Sequence, residues 1–517
     1  MPRLLGHLLI AVSSAFTLAA SAMDAPTPAP AAEVHDGGAK EQRSVTQGTV
    51  TVGGKVIAYT ATAGTIVLEN DKGEAIGSMF YVAYTKNGVT NPGQRPVTFF
   101  YNGGPGSSSI WLHMGAFGPR RVVTADHSHT PAAPYEIADN GESLLDATDE
   151  VFIDAMGTGF SRIVGKGDPK DFYGVDPDAR AFAQFITKYL SEYGRWNSPK
   201  YLFGESYGTT RTGALAYDLQ SDYSVDLNGI VLLSSILNWT IVADFPEVNP
   251  GVEESYVALV PSFAATAWYH HKLPSQPAEL KPFLDEVEAF AAGDYAQALA
   301  AGATLTPEAE HKVAERLHAY TGLPVDYLLK ARLRVTGPEF EHELLLDAGE
   351  VVGRFDSRYT GPVLDPLDRD AEYDPQSVAI SGAYTAAFND YARKELKFGE
   401  GMSYLPLVNG LLFKWNFDHK QPGIPFAYAL PNVLPDLAAT MSHDPDLKVM
   451  LNSGYLDLAT PYYSQVYNMR QLPMAPELQK NISYAFYTSG HMVYANQESL
   501  KQLHDNVARF IEANQGK

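Results

Sequence analysis

Gly204-Glu205-Ser206-Tyr207-Gly208 sets a lone serine between two glycines, directly after the apolar run Tyr201–Phe203. That order reads as strand, sharp turn, helix, with the serine hydroxyl held out where a substrate can reach it. Such a serine becomes a nucleophile when a histidine takes its proton and a carboxylate fixes the tautomer of the histidine. Two later strand-like runs end in these residue types. Lys448–Ser453 leads into Gly454-Tyr455-Leu456-Asp457, and Asn481–Tyr487 leads into Thr488-Ser489-Gly490-His491. Asp457 and His491 therefore stand at the carboxyl ends of consecutive strands, the edge where open α/β sheets hold ligands. Alone, each has an ordinary reading, as a helix cap or a loop histidine. In this order with the serine they point to acyl transfer. A rival base, His443, precedes its strand instead of following it.

Acyl transfer also needs donors for a developing oxyanion. The loop Asn102-Gly103-Gly104-Pro105-Gly106-Ser107-Ser108-Ser109 follows the run Val97–Tyr101, and its glycines let backbone amides approach a substrate. With the amide of Tyr207, it fits a two-donor hole. A phosphate-cradling loop is the rival reading, but the lysine such loops need is missing. His127 with His129, and His270 with His271, lack a third ligand at useful spacing, so neither a metal nor another cofactor is expected.

Strands must carry these loops. Pro96–Tyr101, Glu150–Asp154, Tyr201–Gly204 and Gly229–Ser234 read as buried strands, and Asp176–Tyr193 has helical spacing. The alternation implies a mainly parallel sheet covered on both faces. Ahead of it, Thr49–Val52, Lys55–Ala61, Gly64–Leu68 and Ala75–Tyr84 suggest antiparallel hairpins. Residues 46–240 and 404–517 read as two parts of one catalytic domain. Residues 241–403 change texture: Pro277–Ala292, Thr306–Thr321, Pro324–Arg334 and Tyr384–Glu395 look helical, as an inserted lid would. A last helix is predicted from about Gln497 to Glu512.

The chain has 517 residues, a net charge of −22 and no cysteine. The charge argues against nucleic acid and anionic membranes as partners. The lack of cysteine excludes disulfides and thiol chemistry. Residues 1–22 read as a signal peptide, with a basic head, the apolar run Leu4–Ala20 and the exit Ala20-Ser21-Ala22. Residues 23–45 read as a disordered Ala/Pro-rich leader. A bacterial periplasmic or secreted protein without a stable membrane anchor is expected.

Five blocks carry a resemblance. They are the Asn102–Ser109 loop, Ile153–Ser161, Gly204–Gly208, Gly454–Asp457 and Gly490-His491-Met492-Val493. Together, and in order, they resemble the signature blocks of the serine carboxypeptidase family over roughly residues 95–240 and 405–517. The resemblance implies an α/β-hydrolase fold with a mainly parallel central sheet and an inserted, mostly helical lid. It implies Ser206 as nucleophile, His491 as base, Asp457 as its orienter, and the amides of Gly104 and Tyr207 as the oxyanion hole. It also implies that Asn102, the Gly103 amide and Glu205 bind the free carboxylate of a peptide. Glu205 must then be protonated, because two facing carboxylates repel, and acidic conditions are favoured.

Two departures stand out. Family members commonly carry disulfides, which this chain cannot form. They also usually carry a second glutamate that shares a proton with the Glu205 position, and here the matching residue is Ala116. His113 is the nearby group that could compensate. The expected function is removal of C-terminal residues from peptides. An esterase, acyltransferase or hydroxynitrile lyase on the same scaffold is the first alternative, and a non-catalytic binding protein the second.

Overall fold

In the computed structural model, which describes residues 40–515, the chain opens as an antiparallel meander. Its strands are β1 (Arg43–Val52), β2 (Lys55–Glu69) and β3 (Ala75–Lys86). The sequence suggested a break in β2 near Gly64, yet the strand continues and pairs Gly64 with Tyr81. There the glycine leaves room for the tyrosine side chain instead of ending the strand. The signal peptide expected over residues 1–22 lies outside the described residues, as does most of the leader. β1 begins at Arg43, inside the last residues of that leader.

Six further strands complete the sheet: β4 (Val97–Tyr101), β5 (Asp149–Ile153), β6 (Lys200–Glu205), β7 (Gly229–Leu233), β8 (Lys448–Gly454) and β9 (Ile482–Tyr487). Their spatial order is β1-β2-β3-β5-β4-β6-β7-β8-β9, parallel from β5 onward, with a short strand at Arg162–Ile163 added on β3. Every residue of β4, β5 and β7 is buried, as strands covered on both faces must be.

Successive residues serve opposite faces. Phe99, Leu202 and Ile230 pack with Phe182 and Phe185 of α1 (Val175–Glu192) and Leu215 of α2 (Tyr207–Ser221). Phe100, Phe203 and Val231 pack on the other side with Tyr384 of α3 (Pro375–Lys394) and Val507 of α4 (Gln497–Ala513). The chain leaves β4 toward β5 on one side and later enters β6 on the other. The carboxyl ends of β4 and β6 therefore form a topological switch point, the crevice where such sheets bind ligands.

The long connection between β7 and β8 carries a separate apolar core built from the helices Glu254–Tyr269, Leu280–Phe290 and Pro307–Thr321. A two-stranded sheet pairs Glu350–Val352 with Thr360–Pro362. α3 starts at Pro375, well before the Tyr384 expected from sequence, because the Asp374 side chain caps it and proline occupies its first turn. No described helix is long and apolar enough to cross a membrane.

Candidate active site

β6 ends at Glu205 and α2 begins at Tyr207, so the whole change of direction falls on Ser206. Its backbone adopts φ 59° and ψ −130°, a left-handed conformation that costs a non-glycine residue about 1–3 kcal/mol. The flanking glycines permit the turn: a Cβ on Gly204 would enter the backbone of Gly208, and one on Gly208 would lie 2.9 Å from the Tyr101 carbonyl oxygen of β4.

The loop after β4 rests on this turn. A Cβ on Gly103 would lie 2.6 Å from the Gly208 nitrogen, so the loop backbone sits against the first turn of α2, beside the Tyr207 amide. Two buried groups hold the loop. Arg211 donates from Nη1 to the Asn102 carbonyl oxygen at 2.8 Å, while its Nε donates to Asp178 at 2.7 Å. Asp154 accepts from the Ser109 amide at 2.8 Å. Burial raises the Asp154 carboxyl to about 7, against the opposing pull of that amide. Arg211 and Asp178 have 0% and 2% of their side-chain surface exposed, so neither tolerates loss of the other. Asp178→Ala is expected to destabilise the fold by about 3–5 kcal/mol, measured by chemical unfolding, because it strands a buried guanidinium.

At the other end of the crevice, His491 Nδ1 lies 2.8 Å from Asp457 Oδ2. Asp457 is fully buried, and its four contacts satisfy it. Oδ1 accepts from the amides of Ala459 and Thr460, each at 2.9 Å, and Oδ2 faces the Thr460 hydroxyl at 2.7 Å as well as the histidine. The His491 backbone is clamped by the Ser234 hydroxyl, 2.6 Å from its carbonyl oxygen, and by the Phe355 carbonyl, 2.5 Å from its amide. Burial opposes charge on the ring, but Asp457 outweighs it with help from Glu205, so the His491 pKa is raised. No hydrogen bond joins Ser206 to His491. Such contacts commonly tighten only when substrate binds.

Glu205, immediately before the serine, is 2% exposed. Asn102 Nδ2 donates to its Oε2 at 2.9 Å, and the Tyr494 hydroxyl lies 3.1 and 2.9 Å from its two oxygens. The Asn102 amide is oriented in turn by the Leu112 amide, which donates to its Oδ1 at 3.0 Å. Burial raises the Glu205 carboxyl to about 7, while His491, Tyr494 and Asn102 pull the other way. Ala116 is buried in the core, and its carbonyl accepts from Asn140. His113 does not compensate for it. Its Nε2 lies 2.6 Å from the Tyr84 hydroxyl, its ring stacks on Phe152 at 4.5 Å, and burial lowers its pKa to about 3.

Ser206, Glu205, His491, Asn102, Gly103, Gly104 and Tyr207 all line one cavity of about 440 Å³. Most of its remaining wall comes from the connection between β7 and β8, including Trp239, Phe245, Val248, Phe355 and Leu430. Phe245 is 62% exposed and Leu430 49%, so the mouth itself is apolar. One ion pair interrupts this wall, with Arg354 on Asp244 at 2.6 Å.

The other histidines lie elsewhere. His443 ends the helix before β8 and faces Gln220, while His270 is bonded to the Ser357 carbonyl oxygen. Sequence reasoning missed Tyr494, Thr460, Phe355 and the Arg211–Asp178 pair. Tyr494 follows His491 by three residues, but nothing in that spacing announces a bond to Glu205.

Residues 59–244 match the model of the serine carboxypeptidase family. The matched stretch runs from β2 to the start of the β7–β8 connection and includes Ser206. The fold is that of an α/β-hydrolase. A prohormone-processing carboxypeptidase from Saccharomyces cerevisiae is similar in structure, with a TM-score of 0.52 and 16% identity over 87% of this chain and 91% of that one. A proline iminopeptidase from Mycobacterium smegmatis also matches, at a TM-score of 0.37 and 14% identity over 88% of this chain and 98% of that one. Among curated proteins, none matches.

Proposed function

We propose that this serine carboxypeptidase removes C-terminal residues from peptides through an acyl-enzyme, with Ser206 as nucleophile, His491 as base and Asp457 as its orienter. The observation that carries the reading is convergence: the strained serine, the histidine paired with a buried aspartate, and a buried carboxyl all open onto one cavity. In this reading Ser206 Oγ attacks the scissile carbonyl while His491 Nε2 takes its proton and delivers it to the leaving amino acid. Water then enters, gives a proton to His491 and releases the acyl group. The amides of Gly104 and Tyr207 receive the oxyanion at each tetrahedral stage. Asn102, the Gly103 amide and Glu205 receive the free carboxylate of the substrate, with Glu205 in its protonated form.

The apolar wall favours peptides whose last residues are large and apolar. Residues 1–22 support export to the periplasm or beyond. An esterase is the second reading, favoured by the same apolar cavity. Hydrolysis of a blocked apolar dipeptide, compared with its C-terminal amide, separates the two. Preference for the free acid supports the carboxypeptidase, and equal rates would sink it. Covalent labelling by a fluorophosphonate tests whether the serine is reactive at all.

A further inference from the structure

Two carboxyls line the cavity, and they are held differently. Asp244 is matched by the guanidinium of Arg354, whereas Glu205 has no cation bonded to it. Its partners are an amide and a phenol. Asn102 is fixed by the Leu112 amide and the Ser109 hydroxyl. Tyr494 is fully buried within the sheet-face core, and its aromatic neighbour Tyr384 comes from α3. Burial and Glu205 keep the Tyr494 phenol well above its ordinary pKa, so it remains a donor throughout the working pH range.

We propose that Tyr494 is a positioning residue that holds the Glu205 carboxyl and sets the pH above which the site stops accepting a substrate carboxylate. The inference rests on the carboxylate-binding reading of Glu205. A donor aimed at a carboxyl stabilises its ionised form, while burial stabilises its protonated form. Tyr494 therefore opposes the protonated state that substrate binding requires. It also fixes both oxygens, so that the proton is presented toward the cavity when Glu205 does carry it. The other charged or titratable groups facing Glu205 are His491 and Asp457 from the loops after β9 and β8, and Tyr384 from α3 with Arg121 beyond it. His491, when charged, favours the ionised carboxylate, and Asp457 disfavours it.

The test is kcat/KM from pH 5 to 9 for a blocked dipeptide with a free C-terminus and for its C-terminal ester. Tyr494→Phe removes one donor and keeps the ring. It is expected to move the alkaline limb for the free acid upward by roughly one pH unit, a tenfold change in proton affinity. The ester profile, which reads His491, is expected to stay in place. Incorporation of 3-fluorotyrosine at position 494 keeps the fold and strengthens the donor, so it is expected to move the limb downward. Should the wild type treat acid and ester alike at every pH, the carboxylate reading of Glu205 fails. If the wild type discriminates but neither replacement of Tyr494 shifts the limb, the role of Tyr494 is overturned while that reading stands.

Discussion

Replacing Ser206 with alanine is expected to lower kcat for peptides by about 10⁶-fold and to abolish fluorophosphonate labelling, with the fold intact. The size of the effect comes from the reaction route. Without Oγ there is no acyl-enzyme, and the paired His491 has nothing to deprotonate but water. Stability separates this loss from unfolding. Alanine retains a Cβ at φ 59°, so the strain at the turn persists and the unfolding midpoint should stay near that of the parent. Ser206→Gly is equally inactive but relieves strain of about 1–3 kcal/mol against an entropic cost of about 0.5–1 kcal/mol. It should therefore be the more stable of the two variants in denaturant. An active Ser206→Ala variant would remove the nucleophile from the mechanism.

The second large effect is expected at Asp457→Asn, about 10⁴-fold in kcat with little change in KM. Asparagine can still accept from the amides of Ala459 and Thr460 through one oxygen. Its second position becomes an NH₂ facing His491 Nδ1, where a carboxylate oxygen now lies 2.8 Å away. The imidazole then turns to the tautomer protonated on Nε2, which cannot accept the proton of Ser206. Steady-state kinetics on a blocked peptide, with circular dichroism to verify folding, checks the prediction. A variant with kcat within tenfold of wild type would assign the orientation of His491 to Thr460 and the backbone clamps instead.

Where the candidate site residues would sit was legible because each follows a strand. Ser206, Asp457 and His491 are announced by apolar runs immediately before them, and the period-2 split of Phe99 and Phe100 between two cores is what such runs mean. The supporting residues were not legible. Tyr494 meets Glu205 across 289 positions of sequence, and Arg211 meets the Asn102 carbonyl across 109. Local pattern does not encode such meetings. Helices were missed where periodicity was absent. Glu254–Tyr269 is apolar on nearly every side, buries most of its length and contains Pro261, so it shows no amphipathic stripe. The break expected in β2 failed for the opposite reason, since Gly64 is a fitting for Tyr81 and not punctuation.

The β7–β8 connection supplies most of the apolar cavity wall, while the proposed catalytic groups sit on the loops after β4, β6, β8 and β9. Taste and teeth thus occupy separate stretches of chain. An exchange confined to the Trp239–Val248 part of that interval alters the wall while leaving in place the Phe355 carbonyl that clamps His491. A chimera that exchanges this segment alone is expected to change side-chain preference at nearly constant kcat for the acyl transfer step.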